Sequence, residues 1–134
     1  MPLVPLVTDD QAPPEVRAVF DDMRATRKTD HINNIWRALA RDPKQLQMTW
    51  SQVKAVMGPG ALDPITKELS YLAVSATNNC EYCLHTHLHA AHAKGMTAAM
   101  FAELMQVVVL AAQTNRIAIG LQVPVDERYC APPF

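Results

Sequence analysis

The amino-acid sequence predicts an all-α fold of about six helices, and three observations support this prediction. Apolar residues recur at the three- and four-residue spacing of amphipathic helices. Proline, glycine and capping residues divide the chain into segments of helical length. No alternating apolar–polar run predicts a strand, since the β-branched Val107–Val109 lies within a helix-length segment. With 134 residues the chain is expected to form a single all-α domain: an N-terminal helical segment over 1–60, a core segment over 61–121 and a tail over 122–134.

Proline and glycine delimit the first three predicted helices. Pro13-Pro14 precedes an amphipathic helix predicted over Val16–Arg27. A shorter helix is predicted over Ile32–Ala40. Asp42-Pro43 then supplies an N-cap and a proline at the first helical position of the third helix, which ends at Gly58-Pro59-Gly60.

Similar signals define three more helices. Asp63-Pro64 begins a helix that runs to the Asn78-Asn79 pair. The next helix begins near Cys80 and ends at Gly95, which is predicted to be its C-cap. A long apolar helix is predicted from its cap at Thr97 to about Ile119.

Composition and charge exclude several classes of protein. A formal net charge of −1 provides no basic patch for nucleic acid or for an anionic membrane surface. The apolar run Val107–Ala112 is far too short to span a bilayer. The start of the chain lacks the basic n-region of a secretory signal, and three cysteines do not form the disulfide framework of a secreted protein. A cytoplasmic protein without nucleic-acid or membrane partners is therefore expected.

Charged residues are unevenly distributed along the chain. The first fifty residues contain seven basic and seven acidic side chains, whereas Leu69–Asn115 contains only Glu81, Lys94 and Glu103. A stretch this long with so little charge is hard to expose to water. It is interpreted as core plus subunit interface, which predicts a homo-oligomer.

The helix that begins near Cys80 carries residue types suited to redox chemistry. Because a helix advances about 100° per residue, its side chains separate into two faces. One face contains Cys80, Cys83, Leu84, His87 and Ala91. The opposite face contains Glu81, His85, His89 and His92.

Three properties of this helix start favour reactive thiols. Two cysteines three residues apart can close a disulfide with little backbone movement. The unpaired amide donors and the positive end of the helix dipole favour a thiolate. His87 lies one turn beyond Cys83, where its imidazole can accept the thiol proton or pair with the thiolate.

The preceding helix contributes a candidate fourth residue, Glu68. The apolar stripe of that helix contains Ile65, Leu69, Leu72 and Ala76. Glu68 lies at the edge of this stripe, beside Leu72. If the two helices pack together, the Glu68 carboxylate is partly buried and can orient the imidazole of His87.

Other interpretations stay open at the level of these residues. Cys80 and Cys83 could be two structural core thiols. Together with His87, and with Glu68 or water as the fourth ligand, they could bind a tetrahedral zinc ion, although structural zinc usually takes ligands from two separated elements.

The remaining histidines and the third cysteine carry weaker signals. His85, His89 and His92 lie on neighbouring turns and could hold a second metal ion, but a solvated face is favoured. Cys130 in the tail is interpreted as incidental, with the capacity to form mixed disulfides if exposed.

The composite spacing of Glu68, Cys80-x-x-Cys83 and His87 resembles the motif of the alkylhydroperoxidase D-like proteins, which belong to the carboxymuconolactone decarboxylase superfamily. The resemblance covers about Leu62–Leu121. It implies an all-helical fold that assembles into trimers or hexamers, and a peroxidase or disulfide-reductase cycle.

The resemblance also implies a role for each site residue. Cys83 would be the peroxidatic thiolate, Cys80 the proton donor and resolving thiol, and His87 and Glu68 a proton relay. The substrate would be a hydroperoxide, and an external dithiol of the thioredoxin or lipoyl type would reduce the enzyme without any cofactor or metal. The sequence departs from the family pattern at Tyr82, where the family's enzyme has histidine.

Three alternative functions remain beside the peroxidase. One is a decarboxylase-like lyase or isomerase that uses Glu68 and His87 as acid and base, although such decarboxylases generally lack the Cys-x-x-Cys pair. Another is a non-catalytic oligomer that binds a metal or senses redox state. The last is a purely structural oligomer.

Overall fold

The structure, a computed structural model, describes residues 3–131 and is all-helical over that range. The described chain contains six α-helices: α1 (Pro14–Arg27), α2 (Asn34–Leu39), α3 (Pro43–Met57), α4 (Pro64–Thr77), α5 (Glu81–Ala93) and α6 (Ala98–Gly120), followed by a 3₁₀ turn at Glu127–Tyr129. The all-α fold class is thereby confirmed. None of the described helices combines the length and the apolar character that crossing a membrane requires.

The helices begin where local capping chemistry predicts. The side chains of Asp42, Asp63 and Thr97 accept hydrogen bonds from the backbone N–H groups that open α3, α4 and α6, respectively. Each bond satisfies one of the amide donors left unpaired at a helix N-terminus. At the start of α1 the helix includes Pro14, two residues before the predicted start, because proline fits the first helical turn.

The described chain forms two compact units, one ending at Ala61 and the other beginning at Leu62. A single-domain organisation stays a prediction. The core of the first unit is built from α1, α2 and α3, with Phe20, Trp36 and Trp50 among its largest buried side chains. The two tryptophan rings meet edge to face at 5.7 Å, and the Arg27 guanidinium lies over both. Such contacts combine apolar burial with cation–π attraction.

An ion-pair cluster ties the start of the first unit to two of its helices. Asp9 pairs with Arg24 of α1 and, at 2.8 Å, with Arg37 of α2. Arg37 also donates a 3.0 Å hydrogen bond to the Val7 carbonyl oxygen. The hydrogen bonds from Arg24 and Arg37 lower the pKa of Asp9 to about 2.

In the second unit α4 packs against both α5 and α6. Its core contains the buried residues Leu72, Ala91 and Met96, and α4 also buries two polar residues, Glu68 and Ser75. In contrast, α6 has no buried residue in the single chain. Its exposed large apolar side chains include Val107, Val109, Leu110, Ile117 and Ile119. The homo-oligomer stays a prediction.

Candidate active site

Cys80 is positioned by the turn that ends α4. Asn79 adopts a left-handed conformation with φ of 56°. The N–H of Cys80 donates to the Ser75 carbonyl oxygen at 3.0 Å, and that of Asn79 donates to the Ala76 carbonyl oxygen. These two bonds form a Schellman motif, in which asparagine tolerates the left-handed position better than most side chains. The end of α4 therefore fixes the backbone of Cys80.

The same residue begins α5. Cys80 is the N-cap, with non-helical φ and ψ, and its sulfur accepts a 3.3 Å hydrogen bond from the N–H of Cys83. The two cysteines are joined as a disulfide, with their Cα atoms 5.3 Å apart. The Cys-x-x-Cys pair thus occupies the first turn of the helix, where the amide groups and the helix dipole favour a thiolate after reduction.

The two faces expected for α5 are present. Cys80, Cys83, Leu84 and His87 are half-buried and Ala91 is fully buried. The polar set is exposed and comprises Glu81, His85, His89 and His92. The described residues include no group of three or more His, Cys, Asp or Glu side chains arranged to hold a metal ion.

Glu68 of α4 is a buried carboxylate that contacts two hydrogen-bond donors. The residue is 4% exposed. Its Oε2 atom lies 2.7 Å from Nδ1 of His87, and its Oε1 atom accepts a 2.7 Å hydrogen bond from Nζ of Lys94. A carboxylate removed from water needs such charge-assisted partners on its oxygens.

The two donors determine the charge of Glu68. Burial, the largest single effect, raises the pKa of this carboxyl group, but the hydrogen bonds and charges of His87 and Lys94 together outweigh it and leave the pKa below its usual value. Glu68 is therefore an ionised acceptor. Because a carboxylate only accepts, Nδ1 of His87 carries the proton of their bond, and in a neutral imidazole Nε2 retains the lone pair.

Two residues of this arrangement were missed by sequence reasoning, Tyr71 and Lys94. The Tyr71 ring stacks on the His87 imidazole with centroids 3.6 Å apart and an interplanar angle of 19°. Tyr71 lies three residues, or about one helical turn, beyond Glu68, so this spacing could have predicted that the two side chains share a face of α4. Lys94 is the only lysine or arginine in Leu69–Asn115, the charge-poor stretch that follows Glu68, and that isolation could have indicated a specific partner.

The third cysteine, Cys130, is not part of the disulfide. It is a free, exposed thiol whose sulfur lies 3.7 Å from the Asp126 carbonyl oxygen. It is bonded to neither Cys80 nor Cys83, which are joined to each other.

Comparison with known proteins identifies the family. Residues 44–125 match the carboxymuconolactone decarboxylase family, a longer stretch than the Leu62–Leu121 segment that carries the resemblance. The chain is also similar to a crystal structure described as the alkylhydroperoxidase AhpD core from Rhodospirillum rubrum. The two are 55% identical, the match covers 98% of this chain and 99% of that one, and the TM-score is 0.94. Among curated proteins no significant match is found. With the family matched over more than half of its length, this chain belongs to the carboxymuconolactone decarboxylase family.

Proposed function

We propose that this protein is a thiol-dependent peroxidase that reduces hydroperoxides through the Cys80–Cys83 pair. One observation carries the proposal: a disulfide in the first turn of α5 shares that helix with His87, whose imidazole is hydrogen-bonded to the buried Glu68. The similarity to a structure described as an alkylhydroperoxidase supports it.

In the proposed first step the reduced pair attacks the peroxide. His87 accepts the thiol proton of Cys83 at Nε2, and the resulting thiolate attacks the distal oxygen of ROOH. The O–O bond breaks, and the leaving alkoxide takes the thiol proton of Cys80 to become ROH. Cys83 is now a sulfenic acid and Cys80 a thiolate.

The second step closes the disulfide. The Cys80 thiolate attacks the Cys83 sulfur, and its S–O bond breaks as an S–S bond forms. The leaving hydroxide takes the proton held by His87 and departs as water. Glu68 orients the imidazole through both transfers and stabilises it while it is charged.

An external dithiol of the thioredoxin or lipoyl type then returns two electrons. One of its thiolates attacks a sulfur of the disulfide, and its second thiol displaces that mixed disulfide. The net reaction converts ROOH and a dithiol into ROH, water and a disulfide. The steps require no bound cofactor or metal.

The test replaces the sulfur that attacks the peroxide. Cys83→Ser should abolish hydroperoxide consumption, measured in separate assays with dihydrolipoamide and with reduced thioredoxin as the electron donor. Cys130→Ser is the matched control and should retain wild-type turnover, because this thiol is exposed and unpaired. Unchanged turnover in Cys83→Ser would eliminate the proposal.

The carboxylate–imidazole pair also supports a second candidate, a lyase or isomerase acting on a small cyclic acid. In that reaction Glu68 and His87 would act as acid and base without the sulfurs. Such an activity would survive in the Cys80→Ser/Cys83→Ser double variant, where the peroxidase cannot operate.

We also propose that the chain assembles into a homo-oligomer, a trimer or a hexamer. The support is α6, whose large apolar side chains stay exposed in the single chain, Leu110 and Ile119 at 60% and 75% among them. Sedimentation equilibrium of the wild type and of Leu110→Glu tests this proposal, since a charge on an apolar interface should favour the monomer.

A further inference from the structure

Glu68 is held by one donor with a fixed charge and one whose charge changes. Its side chain is only 5% exposed, and its ionic partners in the described chain are His87 and Lys94. In the proposed cycle His87 alternates between neutral and protonated forms. Of these two described partners, Lys94 is the one that can compensate the carboxylate charge in every step.

We propose that Lys94 is a positioning residue of this site, and that its ammonium group keeps Glu68 ionised so that the Nδ1–H of His87 stays directed at the carboxylate throughout the cycle. This inference rests on the proposed peroxidase and deepens it, because it assigns the control of the relay to a residue outside the Glu–Cys–Cys–His motif. Lys94 acts through Glu68 and does not contact the sulfurs in this account.

The fold places Lys94 where this role requires it. Lys94, the C-cap of α5, lies seven residues after His87, which is about two helical turns, so both side chains lie on the side of the helix that contacts Glu68. The backbone is then fixed by a second Schellman motif, in which Gly95 and Met96 donate 3.0 Å hydrogen bonds to the carbonyl oxygens of His92 and Ala91. Gly95 has φ of 98°, a conformation that favours glycine.

Among the described residues, the ion pairs of Glu68 are those with His87 and Lys94. From α4 the facing titratable group is Tyr71, which stacks on His87. From α5 and its C-terminal end the groups that contact Glu68 are His87 and Lys94. The third helix of the unit, α6, forms no ion pair with Glu68 in the described part of the chain.

The energetics agree with the geometry. Burial alone raises the pKa of Glu68, and the bonds from His87 and Lys94 reverse this effect. Without Lys94, one of the two partners that lower the pKa of Glu68 against the effect of burial is lost. The pKa of Glu68 should then rise, and a protonated carboxyl group is a weaker acceptor for His87.

Three variants separate charge from hydrogen bonding at this position. Lys94→Arg retains both, Lys94→Gln retains a donor without charge, and Lys94→Met retains neither. The Glu68 titration is followed by NMR of ¹³C-labelled glutamate carboxyl groups in the disulfide form, with Glu68→Gln used to assign the signal. The pH profile of hydroperoxide reduction is measured in parallel.

We expect Lys94→Gln and Lys94→Met to move the Glu68 titration midpoint and the acid limb of the rate profile to higher pH, with about tenfold lower turnover on that limb. Lys94→Arg should retain the wild-type midpoint and profile. An unmoved midpoint in folded Lys94→Gln or Lys94→Met, or an arginine variant that behaves like methionine, would overturn the inference.

The design distinguishes this failure from failure of the proposed function. The carboxyl titration needs no turnover, so an upward shift in Lys94→Met supports the role of Lys94 in Glu68 ionisation even in a protein that consumes no hydroperoxide. Conversely, if the protein reduces hydroperoxides but the Glu68 titration midpoint is unchanged in all three variants, the proposed peroxidase function stands and the role assigned to Lys94 is wrong.

Discussion

Nδ1 of His87 and Oε2 of Glu68 lie 2.7 Å apart, so a side-chain hydrogen bond joins the helix that carries the disulfide to the helix that precedes it. Glu68 is buried, whereas the His87 side chain is 23% exposed. The carboxylate is therefore held inside the unit while the imidazole borders solvent. This arrangement leaves Nε2 as the ring nitrogen with a free lone pair when His87 is neutral.

We expect His87→Ala to lower the rate of peroxide-dependent disulfide formation by about 10²- to 10⁴-fold, the usual contribution of a positioned acid–base group. The measurement is stopped-flow oxidation of the reduced protein by hydrogen peroxide. His85→Ala is the matched control, because His85 lies on the exposed face of the same helix. Equal rates for the two variants would show that the imidazole at position 87 has no special role.

The stacked tyrosine leads to a second prediction. Tyr71→Ala removes the ring that limits rotation of the His87 imidazole, and an aromatic pair of this kind contributes about 0.5–1.5 kcal/mol. We expect a twofold to tenfold slower oxidation step, roughly that energy expressed as a rate. Tyr71→Phe retains the ring and should stay close to the wild type. A phenylalanine variant as slow as alanine would instead assign the effect to the hydroxyl group.

The helices could be predicted from sequence because their signals act over a few residues. Asp42, Asp63 and Thr97 each cap the helix that they precede. At the end of α5 the prediction differs by one residue: Lys94 is the C-cap, and Gly95 follows it with positive φ. The reason is that the left-handed residue of a Schellman motif lies just beyond the cap.

The site could be predicted only in part, because its contacts depend on packing between helices. Periodicity along one helix is enough to place Cys80, Cys83 and His87 on a common face. The Lys94 contact depends also on the turn at Gly95 and on how α4 packs against α5, and neither is encoded in a short spacing. The subunit interface predicted from low charge stays a prediction, because α6 has no buried residue in the single chain and low charge does not identify the surface that would cover it.

The turn before Cys80 leads to a third prediction. Asn79→Val should destabilise the folded protein by about 1–2 kcal/mol, because a β-branched residue is strained at φ of 56°. Asn79→Gly should be as stable as the wild type or slightly more so. Far-UV circular dichroism during guanidinium denaturation measures both. Asn78→Val is the control, since Asn78 has φ of −85°, and a loss as large as that of Asn79→Val would contradict the assigned strain.

The ion pairs of Asp9 lead to a pH-dependent prediction for the first unit. The pKa of Asp9 is lowered from 3.8 to about 2 by hydrogen bonds from Arg24 and Arg37, so the folded state favours the charged carboxylate. The stabilisation is complete above the unfolded pKa and is lost as the pH falls from about 4 through about 2. The fall in pKa from 3.8 to about 2 would correspond to about 2.4 kcal/mol, but the Asp9 side chain is 50% exposed and solvent screening reduces the effect to about 1 kcal/mol.

Asp9→Asn should therefore lower the free energy of unfolding by about 1 kcal/mol at pH 7, and its difference from the wild type should shrink as the pH approaches 2. Urea denaturation followed by tryptophan fluorescence measures this, because both tryptophans, Trp36 and Trp50, belong to the first unit. Asp30→Asn is the control, since the Asp30 side chain forms no ion pair in the described residues. A difference between Asp9→Asn and the wild type that is the same at every pH would rule out loss of the carboxylate charge as its cause.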